Sequence, residues 1–185
     1  MKRSGPLNLM LMATTAFAVA GCEDPQVEGN YYKTVEQCIS SGAFSEVECR
    51  EAFVAGRRMN TDSAPRYNSR QLCEQQHGLS DCDQRTNTSG SGSYFVPLAT
   101  GYFIGQAVGG ASDNWNNRVR PIYPAASRRG AYTSGGGVLF YNNSTRRYSL
   151  PSQDLSKPPA PAKVQTRTSV ASRGGFGSRS RSGGS

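Results

Sequence analysis

Two stretches of this chain repeat one pattern, and the repeat constrains how four of its five cysteines are used. Tyr32-Lys-Thr34-Val-Glu-Gln-Cys38 matches Tyr67-Asn-Ser69-Arg-Gln-Leu-Cys73, with a tyrosine six before the cysteine and a hydroxyl residue four before it. Each copy then reaches a glycine, Gly42 or Gly78, and a second cysteine, Cys49 or Cys82. Four cysteines allow three connectivities, and their number alone does not choose among them. Two copies of one supersecondary unit most simply close one disulfide each, which gives Cys38–Cys49 and Cys73–Cys82.

The local physics of the unit supports this. Thr34 and Ser69 suit N-caps, because a side-chain oxygen there accepts from an orphan helix N–H. Gln37 stands three after Thr34 in a capping-box pattern, and Ser45 with Glu48 forms another ahead of a second helix reaching about Met59. Gly42 and Gly78 suit the left-handed position that ends a helix. Loops of about 10 residues closed by a disulfide gain roughly 2–3 kcal/mol. A core this small is marginal without such staples. Zinc is disfavoured, since ligand pairs there are usually two to four residues apart, whereas ten and eight residues intervene here and the chain has one histidine. That residue, His77, is expected to cap a helix end as a cation against the dipole. Neither a metal nor another cofactor is expected.

Residues 1–21 read as a signal peptide. A basic start (Lys2, Arg3) leads into an apolar stretch from about Leu7 to Ala20, then Val19-Ala-Gly-Cys22. The stretch is too short for a span of about 20 apolar residues, and its order is that of a secretory signal. Small residues directly before a cysteine read as a bacterial lipobox. Cys22 is then the lipidated residue, with diacylglycerol and a further acyl chain such as palmitate for stable anchoring. The remaining cysteines would face an oxidising compartment, where disulfides persist. Glu23, not Asp, follows Cys22, which favours the outer membrane over the inner one.

The net charge of +8 is unevenly spread. Residues 22–113 carry seven Arg/Lys against twelve Asp/Glu, residues 114–150 six Arg and no acid, and residues 151–185 six Arg/Lys and one Asp. A basic C-terminal half points to anionic envelope lipid or glycan, or an envelope protein, as partner. The envelope address argues against nucleic acid.

Residues 86–93 form a Thr/Ser/Gly/Asn linker between a lipidated, duplicated helical unit over 22–85 and a second region over 94–150. Tyr94 to Ala111 is uncharged, and Gly101, Gly105 and Gly109 recur every four residues. On a helix they would form one smooth face for close packing, with Pro97 in the first turn. That helix would pack on the disulfide unit or lie at the bilayer, and spanning is the weaker alternative. Arg118–Tyr123, Ala131–Thr133 and Val138–Tyr141, with glycines at 135–137, read as short strands and a β-hairpin. Residues 151–185 form a basic Pro/Gly/Ser/Arg tail expected to be disordered. It contains Arg173-Gly174-Gly175-Phe176-Gly177. The fold class is therefore small α+β: disulfide-stapled short helices, a glycine-striped helix, a β-hairpin and long disordered segments.

This order resembles the YgiB-type envelope lipoproteins, a bacterial family of unknown function. The lipobox at Cys22, the two cysteine units with Ala64-Pro-Arg-Tyr67, the run from Ser91 to Gly110 and the Arg173–Gly177 motif carry the resemblance. It supplies no catalytic residues. Members often occur beside an ATP-grasp enzyme, which implies an alternative: a ligase substrate modified on its Gly/Ser-rich C-terminal tail. The residues themselves show no nucleophile elbow, phosphate loop or metal cluster. The expected function is therefore a non-enzymatic, lipid-anchored envelope module presenting a basic tail to a partner.

Overall fold

A computed structural model describes residues 25–86, 92–106, 114–126, 130–156 and 160–167. Cys22, Gly109 and the Arg173–Gly177 motif lie outside them, as does the signal peptide.

The chain opens with strand β1 (Gln26–Tyr32) and turns into helix α1 (Val35–Ser41). Thr34 Oγ1 accepts from the Gln37 N–H at 3.2 Å, while Gln37 Oε1 reaches one residue further back, to the Lys33 N–H. Gly42 ends the helix at φ 67°, in the left-handed region. Helix α2 (Glu46–Ser63) starts with a complete Ser45/Glu48 capping box and runs one turn past the expected end. The second unit starts the same way, with strand β2 (Arg66–Tyr67) and helix α3 (Arg70–His77), but its second cysteine opens a strand, β3 (Cys82–Thr86), where Cys49 lies in a helix. Ser69 Oγ accepts from the Leu72 N–H. Gly78 departs from expectation: at φ 122°, ψ 156° it is extended on the positive-φ side, where the Asp81 carboxylate crowds the space a Cβ would need.

Disulfides join Cys38 to Cys49 and Cys73 to Cys82, with Cα–Cα distances of 5.8 and 6.2 Å. Both repeated tyrosines are buried against their own units. Tyr32 donates to Ser41 Oγ at 2.7 Å, and Tyr67 lies in a cluster with Leu72, Cys73 and Cys82.

The next segment corrects the glycine-striped helix. Residues 94–105 form two strands, β4 (Ser93–Pro97) and β5 (Gly101–Gly105). A spacing of four places residues on one face of a strand as well as of a helix, because the strand period is two. The flanking residues decide the outcome: Tyr94-Phe-Val and Tyr102-Phe-Ile favour a pleated surface. Gly101 and Gly105 still provide a smooth face, but for aromatic rings rather than a helix. A Cβ on Gly101 would meet Tyr31 Cε2 at 2.8 Å and fall on the Tyr32 carbonyl oxygen, and Phe103 lies likewise over Gly29. Gly101→Ala is therefore expected to destabilise the fold by about 1–3 kcal/mol through overpacking. In a helix the same change would stabilise by about 1 kcal/mol. Thermal denaturation of the variant reads the sign.

Strands β6 (Val119–Pro124), β7 (Ala131–Tyr132), β8 (Phe140–Asn142) and β9 (Arg147–Pro151) follow, then helix α4 (Ser152–Ser156) and strand β10 (Val164–Gln165). The six-stranded sheet has the order β7-β6-β5-β1-β9-β8, and the four-stranded sheet β10-β2-β4-β3. Of the strands expected over 118–141, β6 pairs antiparallel with β7, and Tyr132 bridges Val138 across the glycines at 135–137. A further hairpin, β8–β9, lies outside that expectation; there Asn142 Oδ1 accepts the Ser144 and Thr145 N–H groups and Arg146 takes φ 54°.

Two further expectations are corrected. Thr86 pairs with Ser93, so the linker joins two strands of one hairpin and does not divide domains. The tail from residue 151 is folded in part: α4 buries Leu155, and β10 pairs in parallel with β2.

On one face of the large sheet, Tyr32, Ile104 and Val119 pack with Cys38, Cys49, Ala52, Phe53 and Met59 of α1 and α2. Gly56 lets α2 settle onto the Tyr102 ring. On the other face Phe103, Ile122 and Leu150 pack with Leu155 of α4.

Candidate functional site

The candidate site lies at the end of the large sheet at which β1 starts. There the Ser152 N–H donates to the Pro25 carbonyl at 2.7 Å, and the Gln106 N–H to Glu28 at 3.1 Å. Gly105 and Arg118 are joined twice, by the Gly105 N–H to the Arg118 carbonyl (2.8 Å) and by Arg118 Nε to the Gly105 carbonyl (3.2 Å). A short 3-10 turn, Trp115–Asn117, closes this end of β5 and β6, with Asn114 Oδ1 capping it through the Asn116 N–H.

Trp115 is the chain's sole tryptophan. Its indole N–H donates to Glu51 Oε2 of α2 at 3.0 Å, and the Arg118 guanidinium lies 4.6 Å from its ring centroid. Between the turn and α2 runs an open groove of about 460 Å³, lined by Arg50, Glu51, Val54, Arg58, Trp115 and both flanking asparagines. Arg50 is tied to Glu46 Oε1 at 2.6 Å, whereas Arg58 reaches Asp62 only at 3.9 Å, and all four side chains are exposed. Val54, 59% exposed, gives the groove an apolar contact. The arrangement can bind a ligand through guanidinium, carboxylate, amide and ring.

The chain's histidine is not at the groove. His77 is 6% exposed, with Nδ1 2.8 Å from the Pro124 carbonyl and Nε2 2.8 Å from the Tyr67 hydroxyl. A carbonyl only accepts, so Nδ1 carries the proton and Nε2 accepts from Tyr67. That is a satisfied neutral imidazole, and it corrects the cationic cap. Burial pushes its pKa down from 6.5, against the Pro124 hydrogen bond and the Asp81 charge, which push it up. The unfolded state therefore takes up a proton below about pH 6.5 that the folded state resists. Stability from this site is full above that value and falls as pH drops, by at most about 1.4 kcal/mol per unit. Urea unfolding at pH 7.5 and 5 should show wild type losing more than His77→Gln; equal losses would place the dependence elsewhere.

A second buried polar centre is structural. Arg120, 1% exposed, donates to the carbonyls of Asn116 (2.6 Å), Val119 (2.6 Å), Asp154 (2.7 Å) and Leu155 (2.9 Å). Burial brings its pKa down to about 10, with the Asp154 charge opposing, so it stays cationic at neutral pH. Thr133 Oγ1 donates to Asp154 Oδ2, and Gly135 and Gly137 leave room for that carboxylate. Burial also holds the Tyr123 hydroxyl well above the usual phenol range; it donates to Asn60 Oδ1 at 2.7 Å.

Of the residues singled out from sequence, the four cysteines form the two staples, and Gly101 and Gly105 lie within β5. None lines the groove. The sequence reading missed Trp115, Arg120 and Asp154. Their signals were a lone tryptophan among asparagines, an arginine two residues from Arg118 in an apolar strand, and one acid in an otherwise basic stretch. Among the described residues, no helix is long and apolar enough to cross a membrane, and no three His, Cys, Asp or Glu side chains are grouped to hold a metal.

The fold and its staples define an α+β protein with two sheets and two disulfides. Residues 26–185 match the family model described as "Protein of unknown function (DUF1190)", and the chain belongs to that family. It is similar to a UPF0441 protein of Klebsiella pneumoniae subsp. pneumoniae, at 26% identity over 179 residues, covering 90% of this chain and 78% of the relative. Similar UPF0441 proteins of Erwinia tasmaniensis (27% over 180 residues) and Yersinia pestis bv. Antiqua (26% over 188 residues) cover 90% of this chain and 78% of their own. No solved structure matches.

Proposed function

We propose that this chain is a non-enzymatic, lipid-anchored protein of the bacterial cell envelope, holding a disulfide-stapled module close to the membrane. The observation that carries the reading is the use of the cysteines. Four are closed in two staples. The fifth, Cys22, ends an apolar stretch in the lipobox pattern, three residues before Pro25. Staples of this kind persist in oxidising compartments, which agrees with export. The basic C-terminal residues supply the surface for an anionic envelope partner.

Intact mass of protein from native membranes, with palmitate labelling, tests this. The expected result is a chain starting at a lipidated Cys22, with label lost in Cys22→Ala. A free Cys22 thiol in the mature protein would overturn the reading. Added mass on the C-terminal peptide would instead favour modification of the tail by a ligase.

A further inference from the structure

We propose that the groove between α2 and the Trp115 turn binds the phosphoethanolamine headgroup of a phospholipid in the membrane that carries the Cys22 anchor. The occupant follows from the lipid-anchor reading above together with the groove's own chemistry.

Position is the first argument. Cys22 lies three positions before Pro25, and three fully extended steps span at most about 11 Å. By the strand register, the start of β1, the end of β5 and the start of β6 lie at the same end of the sheet. The Trp115 turn leads directly into β6. Since β5 alone separates β6 from β1, the lateral offset is about 10 Å. An anchor at Cys22 therefore brings this end to the bilayer surface.

Charge is the second. The ionised side chains in and beside the groove are Arg50, Arg58 and Arg118 against Glu46, Glu48, Glu51 and Asp62. The acids exceed the arginines by one, so a purely anionic ligand finds no excess of positive charge. A dipolar ligand finds both partners. Arg58, whose side chain is 84% exposed and only loosely paired, is free to take a phosphate, which guanidinium groups bind well. Glu51 gives one carboxylate oxygen to the indole, and its other oxygen can accept from an ammonium. Trp115, with an apolar body and a polar N–H, suits the headgroup depth, and the exposed Val54 adds an apolar contact beside it.

Because Trp115 is the sole tryptophan, its fluorescence reads the site directly. Full-length protein, with lipidation verified by mass, is placed in vesicles of phosphatidylcholine, phosphatidylethanolamine and phosphatidylglycerol in which one lipid at a time carries brominated chains. Quenching should be greatest when the brominated lipid is phosphatidylethanolamine. Equal quenching by all three lipids, or none, would overturn the proposal. A solution titration of the full chain with glycerophosphoethanolamine tests the groove apart from the anchor. It should give a saturable change in Trp115 emission, weakened about tenfold in Arg58→Ala and in Glu51→Gln by loss of one charged hydrogen bond. No change would overturn the headgroup site even with the anchor in place. An unlipidated Cys22 beside saturable binding would remove the anchor and leave the site.

Discussion

Cys38→Ala combined with Cys73→Ala is expected to leave the chain largely unfolded at 37 °C. Each staple closes a short loop, with sequence separations of 11 and 9, and loops of this size gain about 2–3 kcal/mol from closure. All four cysteines are at most 2% exposed, so each replacement also removes buried sulfur contacts. The two staples sit in separate clusters, one with Tyr32, Phe53 and Ile104, the other with Tyr67 and Leu72. Their losses should add, as for sites without shared partners. Together they approach about 5 kcal/mol, the lower bound of a typical domain's stability. Urea unfolding followed by far-UV circular dichroism should give two intermediate single variants and a double variant without a folded baseline. A double variant as stable as wild type would show that the sheets hold without staples.

Arg120→Met should cost about 3–5 kcal/mol, the range for removing one partner of a buried charged network. The guanidinium joins four carbonyls from two parts of the chain: Asn116 and Val119 on one side, Asp154 and Leu155 on the other. A methionine fills the volume but leaves those acceptors dry and unpaired. Arg120→Lys separates charge from geometry. An ammonium keeps the attraction to Asp154 but lacks the planar fork that reaches both sides, so it should rescue little. Because Arg120 holds the Asn116 carbonyl, the Trp115 emission of both variants should also shift red. Full rescue by lysine would assign the role to charge alone.

Much of the fold that sequence made legible is local. Thr34, Ser45 and Ser69 announce their helices because a cap acts within three residues, and the repeated units pair their cysteines inside themselves. Residues 94–105 carry an ambiguous signal, because glycines four apart share a face in helix and strand alike. What separates the two is the partner strand, and β1 lies about seventy residues away. The same holds for the chain after residue 151. Its composition suggests a solvated tail, yet Leu155 finds a pocket made by Phe103, Ile122 and Leu150. The groove was least legible, since Glu51 and Trp115 meet across 64 residues of sequence. His77 has the sequence position of a cationic cap at a helix end, because nothing local shows that Pro124 will bring it an acceptor.

The place of β1 between β5 and β9 has a kinetic consequence. A chain delivered N-terminus first presents β1 long before either neighbour exists. The two cysteine loops can close early, since they need only nearby residues. The large sheet must wait for Pro151, the partner of Gln26. Such distant pairing slows assembly. A chain cut short after residue 106 would keep its staples yet leave β1 with an open edge toward the missing β9, beside Val27 and Tyr31. An unpaired apolar edge of that kind invites pairing with other chains, so incomplete copies should aggregate where whole ones do not.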